Sequence, residues 1–385
     1  MNPLKVYVAL GTRPEAIKLA PVIHALDREP NVNQRVVATG QHRLLLDQVL
    51  DLFHIKPARD LRVMQANQHL GGLTARILSE VEEDLLAFQP DWVIVQGDTT
   101  TALAVAMAAY YQRIPIAHVE AGLRTRDRFN PFPEEINRRF VDQLSDLLFA
   151  PTEQARQNLL NEGIASTTIH VTGNTGIDAL LEIAGRDGHG DQGCAQATGE
   201  RILLVTAHRR ESFGEDLLSV CEALRELVAR NPDVRVIYSV HPNPNVTIPV
   251  RRELGDLPRF ELTPPLEYAE FVHLMKRSFL ILTDSGGIQE EAPSLGKPVL
   301  VLRAHTERVE AIEAGTAKLV GTDPHQIITE AERLLREPEL YKHMTQIRNP
   351  YGDGHAAERI VRILAKTSLP ERQGNRRDAS AVFRS

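Results

Sequence analysis

Residues able to do chemistry stand at the ends of short apolar runs throughout this sequence. The run 279–283 leads into Asp284-Ser285-Gly286-Gly287-Ile288, which reads as a strand, a turn and the first turn of a short helix. Glycines without Cβ let an anion approach the backbone, and the unsatisfied N–H groups and dipole of a helix start favour negative charge. Glu290 and Glu291 follow one turn later and would repel a phosphate. At least one of them suits hydroxyls instead, as a carboxylate clasping a ribose does. Together these features suit a nucleotide diphosphate; an ordinary tight strand-to-helix turn is the alternative.

Cations occupy equivalent places. The run 5–10 ends in Gly11-Thr12-Arg13-Pro14-Glu15, with Lys18 five residues after Arg13. Both can lean toward the strand ends and bind an anion, or they form a solvated first turn, an end that acids normally favour. The run 201–206 leads to His208-Arg209-Arg210-Glu211-Ser212, a candidate for handling phosphate, and Arg308 follows a further strand beside Glu307, its simplest ion-pair partner. Loop 241–245 also leaves a strand end, with prolines that can be purely structural.

The acids come from another set of strands. Asp98 follows the run 92–96, where helix capping is the alternative duty. Glu120 follows 114–119, and a carboxylate at the end of a buried parallel strand stands where such sheets bind ligands. A Pro-stiffened loop delivers Glu134 and Glu135, the latter able to pair with Arg138 or Arg139. Three acids in one cleft would repel, lifting at least one toward the proton-transfer range. No Asp-x-Asp, zinc spacing or Walker lysine loop occurs, so no metal is expected and a diphosphate would meet Arg, Lys, His and helix ends.

The elements that must position these residues alternate. Strand-like runs at 5–10, 34–39, 92–96, 114–119, 147–150 and 168–171 are separated by helical patterns at 15–26, 43–53, 73–88, 101–111, 137–144, 153–162 and 176–184. The glycine-rich segment 185–199 reads as a linker, and its literal G-x-G-x-x-G at Gly188, Gly190 and Gly193 lacks the flanking strand and helix that a dinucleotide fingerprint needs. Strands at 201–206, 234–240, 259–262, 279–283, 299–302 and 318–320 follow, with helices at 215–230, 268–276, 308–314 and 325–337. The fold class expected is α/β, two Rossmann-like domains whose parallel sheets face across a cleft. Their expected limits are residues 1–184 and 200–350. A last helix at 351–366 would cross back to the first domain, and 367–385 would form a disordered tail.

Two domains also suit 385 residues. A net charge of −7 argues against an extended nucleic-acid surface, and only Cys194 and Cys221 are present, too few for a disulfide framework. No run of 18 apolar residues and no signal-peptide pattern occurs, so a reduced cytoplasmic enzyme is expected, without a membrane partner.

The motifs Gly11–Lys18, Gly97–Thr100, His118–Thr125, His208–Ser212 and Asp284–Glu291, in this order, resemble those of the bacterial non-hydrolysing UDP-N-acetylglucosamine 2-epimerases over about residues 4–366. That resemblance implies a GT-B-like architecture, a homodimer, no cofactor, and interconversion of UDP-N-acetylglucosamine and UDP-N-acetylmannosamine for surface polysaccharide synthesis. The implied route eliminates UDP to leave 2-acetamidoglucal and then adds it back. Catalytic roles fall to Asp98, Glu120, Glu134 and His208. Substrate binding falls to Arg13, Lys18, Asp98, Glu120, His208, Ser285, Gly286, Gly287 and Arg308, with Leu266 and Phe271 at uracil and Glu291 at ribose. A UDP-sugar glycosyltransferase, a hydrolysing epimerase and a non-catalytic sensor are the rival readings. One departure concerns a regulatory second substrate site: Leu44 and Asn67 stand where relatives carry a glutamine and an arginine, so activation by substrate is expected to be lost.

Overall fold

The computed structural model describes residues 3–40, 43–64, 69–186, 199–209 and 213–367, residues 43 and 44 in backbone only. Gln41, His42, Asn67 and the side chain of Leu44, the glycines of 188–193, Arg210–Ser212 and the segment from 368 onward lie outside the described residues. The chain forms two compact units, one running to Ala179 and resuming at Gly354, the other spanning Leu180–Asp353. Among the described residues no helix is long and apolar enough to cross a membrane.

In the first unit the order is β1 (Leu4–Leu10), α1 (Arg13–Asp27), β2 (Val32–Ala38), α2 (Arg43–Leu52), β3 (Arg59–Asp60), α3 (Leu70–Phe88), β4 (Trp92–Gln96), α4 (Thr100–Tyr111), β5 (Ile116–Val119), α5 (Glu134–Leu144), β6 (Leu147–Ala150), α6 (Glu153–Asn161), β7 (Ile169–Val171) and α7 (Thr175–Gly185). The division between the units falls inside α7. The seven strands are parallel, in the order β3-β2-β1-β4-β5-β6-β7. β1 and β4 have near-continuous apolar runs because helices cover both faces of the sheet.

The second unit contains β8 (Arg201–Thr206), α8 (Glu215–Arg230), β9 (Val234–Ser239), α9 (Pro244–Leu254), β10 (Phe260–Thr263), α10 (Tyr268–Arg277), β11 (Leu280–Thr283), α11 (Gly286–Glu291), β12 (Val299–Val301), α12 (Val309–Ala314), β13 (Ala317–Leu319), α13 (Pro324–Arg336) and α14 (Pro338–Gln346). Its parallel sheet runs β10-β9-β8-β11-β12-β13. Each sheet thus winds outward in both directions from its first strand. This places a switch point between β1 and β4 in one unit and between β8 and β11 in the other, where open α/β sheets bind ligands. α15 (Ala356–Lys366) belongs to the first unit and packs on α1.

Four elements differ from the sequence reading. The supposed loop 241–245 holds the start of α9: Asn243 caps it and Pro244 takes the first turn, while Pro249 sits inside it. Those prolines hid the helical pattern. α14 also begins on a proline and follows α13 without an intervening strand. β3 has only two residues. α5 opens at Glu134, three residues earlier than its apolar pattern begins.

Candidate active site

The β1–α1 turn folds tightly because Gly11 has no side chain. A Cβ there would stand 2.3 Å from Oγ1 of both Thr39 and Thr101, which lie 2.9 Å from each other. Glu15 closes the turn from inside, its Oε2 accepting from the N–H groups of Gly11 (3.0 Å) and Thr12 (2.8 Å). Its Oε1 accepts from the Thr99 hydroxyl at 2.7 Å, tying this turn to the one that carries Asp98. Glu15 is 1% exposed. Burial is the largest influence on its carboxyl and lifts it to about 7 against the opposing bonds from Thr99, Thr12 and Gly11. Arg13 therefore opens α1 from a turn fixed at both ends, and Lys18 follows five residues along that helix.

Asp98 is not the cap of α4. Thr99 has that role, accepting from the N–H of Ala102 at 3.0 Å. Asp98 instead pairs with Arg138 of α5, while Asn137 donates to the Asp98 carbonyl at 2.9 Å. Glu120 pairs with Lys18 and also accepts from Gln96. Its backbone is left-handed, φ 69°, a conformation that costs a non-glycine residue about 1–3 kcal/mol. The carboxylate lies beside Gly97, where a Cβ would stand 3.5 Å from Oε2.

Glu134 is the first residue of α5, four before Arg138, and is half-buried. Its neighbour Glu135 is structural. It is 1% exposed, accepts from the N–H groups of Thr125 (3.0 Å) and Arg126 (3.2 Å), and lies 3.4 Å from Arg138. Asp98, Glu120 and Glu135 each face a cation, and burial lifts the carboxyl of Glu15. The sequence reading had Arg138 beside Glu135, where it lies at 3.4 Å, but missed its pairing with Asp98, the contacts of Gln96 and Asn137, and the bond from Thr99 to Glu15.

In the second unit, Thr206 and Thr283 join the ends of β8 and β11, their hydroxyls 2.7 Å apart. Fully buried Asp284 accepts from the N–H groups of His208 (2.6 Å) and Arg209 (2.7 Å), and its Oδ1 lies 3.3 Å from His208 Nδ1. The His241 ring stacks on His208, with centroids 5.3 Å apart. Burial is the main influence holding His208 below the usual imidazole range, and His241 and Arg209 add to it while Asp284 opposes. That direction favours the neutral ring, and with Nδ1 facing Asp284, Nε2 is the nitrogen left to meet a ligand.

Ser285 precedes α11 without capping it through its side chain, and Gly287 is exposed. Gly286 gives Arg308 its place: a Cβ would come within 2.9 Å of the guanidinium carbon, so the arginine would have to shift. Arg308 Nε donates to buried Glu290 at 2.7 Å, and Glu307 is a more distant partner at 3.8 Å. Of the two acids after the glycines, Glu290 thus orients an arginine. Glu291 is half-buried at the last position of α11. Leu266 and Phe271, both half-buried, flank the start of α10.

Comparison with known proteins agrees with this frame. Residues 24–365 match the family model described as UDP-N-acetylglucosamine 2-epimerase. The chain is 51% identical over 369 residues to the UDP-N-acetylglucosamine 2-epimerase of Salmonella typhimurium, covering 94% of this chain and 98% of that one. It is 50% identical over 374 residues to that of Escherichia coli K12, covering 95% and 100%. The crystal structure of UDP-GlcNAc 2-epimerase from Neisseria meningitidis bound to UDP-GlcNAc superimposes with a TM-score of 0.82 at 46% identity, covering 94% of this chain and all of that one. By sequence along nearly its whole length, and by the fold that carries these turns, the chain belongs to the UDP-N-acetylglucosamine 2-epimerase family.

Proposed function

We propose that this chain interconverts UDP-N-acetylglucosamine and UDP-N-acetylmannosamine without net hydrolysis. The observation that carries the proposal is the pair of carboxylates at the ends of adjacent strands, Asp98 after β4 and Glu120 after β5, each aimed by its own cation. The hydrogen on C2 of the sugar is too weakly acidic for simple exchange. Breaking the C1–O bond, with its electron pair leaving on the UDP phosphate, lets a carboxylate take the C2 proton as the C1–C2 double bond forms. Return of a proton to the opposite face of C2, and of the UDP oxygen to C1, gives the epimer. Two faces call for more than one acid–base group, and Asp98, Glu120 and Glu134 are the candidates.

Departure of UDP requires stabilisation of its diphosphate. Arg13, Arg308, His208 and the N–H groups at Ser285, Gly286 and Gly287 are the groups proposed to supply it. An anion arriving at His208 Nε2 would favour its protonation, turning a neutral ring into a charged donor. Lys18 is proposed to hold Glu120 beside the sugar. Leu266 and Phe271 are proposed at uracil and Glu291 at ribose. A homodimer belongs to the same proposal, and sedimentation velocity tests it.

Incubation with UDP-N-acetylglucosamine alone in deuterium oxide, followed by NMR, tests the reaction. The expected product is the C2 epimer carrying deuterium at C2 with UDP still attached. Free N-acetylmannosamine plus UDP would overturn the non-hydrolysing reading, and an unexchanged C2 proton would overturn the reaction itself.

A further inference from the structure

β5 carries a histidine with no exposure at all. Nδ1 of His118 lies 2.7 Å from Asp142 Oδ1 on α5, and Nε2 lies 2.8 Å from the carbonyl oxygen of Gly97. A carbonyl can only accept, so Nε2 bears a hydrogen. The other oxygen of Asp142 faces Arg124 at 2.7 Å and the N–H of Gly122 at 3.3 Å, two donors that favour an ionised carboxylate. That carboxylate also only accepts, so Nδ1 bears a hydrogen too. A ring protonated on both nitrogens is an imidazolium. A neutral ring would turn a lone pair toward one of two buried acceptors.

Arg124 bridges Asp142 to Glu162, donating from Nε at 2.8 Å and from its terminal nitrogen at 2.7 Å. Arg139 adds a longer contact to Glu162 at 3.6 Å. Each end of the network reaches an acid-bearing element. Gly97 immediately precedes Asp98, Asp142 lies on the helix that begins with Glu134 and supplies Arg138, and His118 stands two residues before Glu120.

We propose that His118, as a buried imidazolium, is the positioning residue that holds the Asp98 turn, the Glu120 strand end and helix α5 in one geometry for proton transfer. The proposal rests on the epimerase reading given above, and its test separates the two. Selective 15N labelling of histidine, with the His118 signal identified by its loss in His118→Asn, should show both ring nitrogens protonated at neutral pH. One unprotonated nitrogen overturns the assignment.

Kinetically, His118→Asn should lower kcat about 100-fold, the scale of a small misplacement of reacting groups, while UDP affinity by calorimetry stays within about twofold. Combined with Asp98→Asn, its loss should be less than multiplicative, because His118 acts through Asp98. A merely structural histidine would lower thermal stability and leave kcat per UDP-binding site unchanged; that result, or fully multiplicative losses, overturns the proposal. Should His118→Asn fail to fold, Asp142→Asn keeps the acceptor shape, removes the charge and carries the same kinetic test. Wild-type protein that leaves the C2 proton unexchanged overturns the epimerase reading and with it the catalytic role of His118, while the NMR result still decides its charge.

Discussion

The buried carboxyl of Glu15 makes the stability of the first unit depend on pH in a direction opposite to that of most acids. Its folded value of about 7 lies above the ordinary 4.5, so the folded chain holds the proton more tightly than the unfolded chain. The stabilisation from that proton is fully present below about pH 4.5 and is lost as pH rises through 7. The gap between 4.5 and about 7, at about 1.4 kcal/mol per pH unit, amounts to about 3.5 kcal/mol. Glu15→Gln keeps the size and the acceptor for the N–H groups of Gly11 and Thr12 but cannot ionise. The assay uses the one tryptophan of the sequence, Trp92, buried on β4, whose fluorescence reports unfolding of this unit. Urea titrations of both proteins from pH 5 to 8 should show wild type losing about 2–3 kcal/mol more than the variant. Because other titrating groups are common to both proteins, the difference isolates Glu15. Parallel losses across this range would refute the argument.

The proposed proton-transfer groups are tested by Asp98→Asn, Glu120→Gln and Glu134→Gln, each expected to lower kcat about 10²–10⁴-fold with little change in UDP affinity. Wild-type turnover in any one removes that carboxylate from the set. Gly286→Ala places a Cβ 2.9 Å from the Arg308 guanidinium carbon and should displace it from Glu290, weakening UDP binding about tenfold by calorimetry. Unchanged affinity would separate Arg308 from the diphosphate. Glu291→Ala should cost about 1.5–3 kcal/mol of UDP affinity if its carboxylate holds the ribose, and Phe271→Ala should weaken the same binding through lost stacking. Unaltered binding in both would leave α11 as an ordinary turn.

Most of the strands were legible because a strand buried on both faces must be apolar along its centre, as 92–95, 147–150 and 202–205 are. The residues that follow such strands were legible for the same reason, since polar groups begin where the covering helices stop. Partners were not. Arg138 meets Asp98 only because α5 returns beside the end of β4, a consequence of strand order that no local pattern contains. Glu135 and Glu134 are adjacent and alike in sequence, yet one is sealed around a loop and the other half-buried, and only the packing of that loop separates them. The same limit applied to His118, read as one letter of a motif although its two ring nitrogens join three elements.

The second unit is an insertion within the first, which has a consequence for synthesis. α15 supplies part of the covering of α1, donates its Ala357 N–H to Asp178 at 2.8 Å and sends Arg359 to the Thr172 carbonyl at 3.0 Å. None of these contacts can form until residues beyond Gly354 have left the ribosome. The nascent first unit must therefore wait, seven strands made and one helix missing, while the whole of Leu180–Asp353 emerges and is free to fold ahead of it. Order of emergence and order of completion are reversed, and termination between Asp353 and α15 leaves the acid-bearing unit, rather than the later-made one, unfinished.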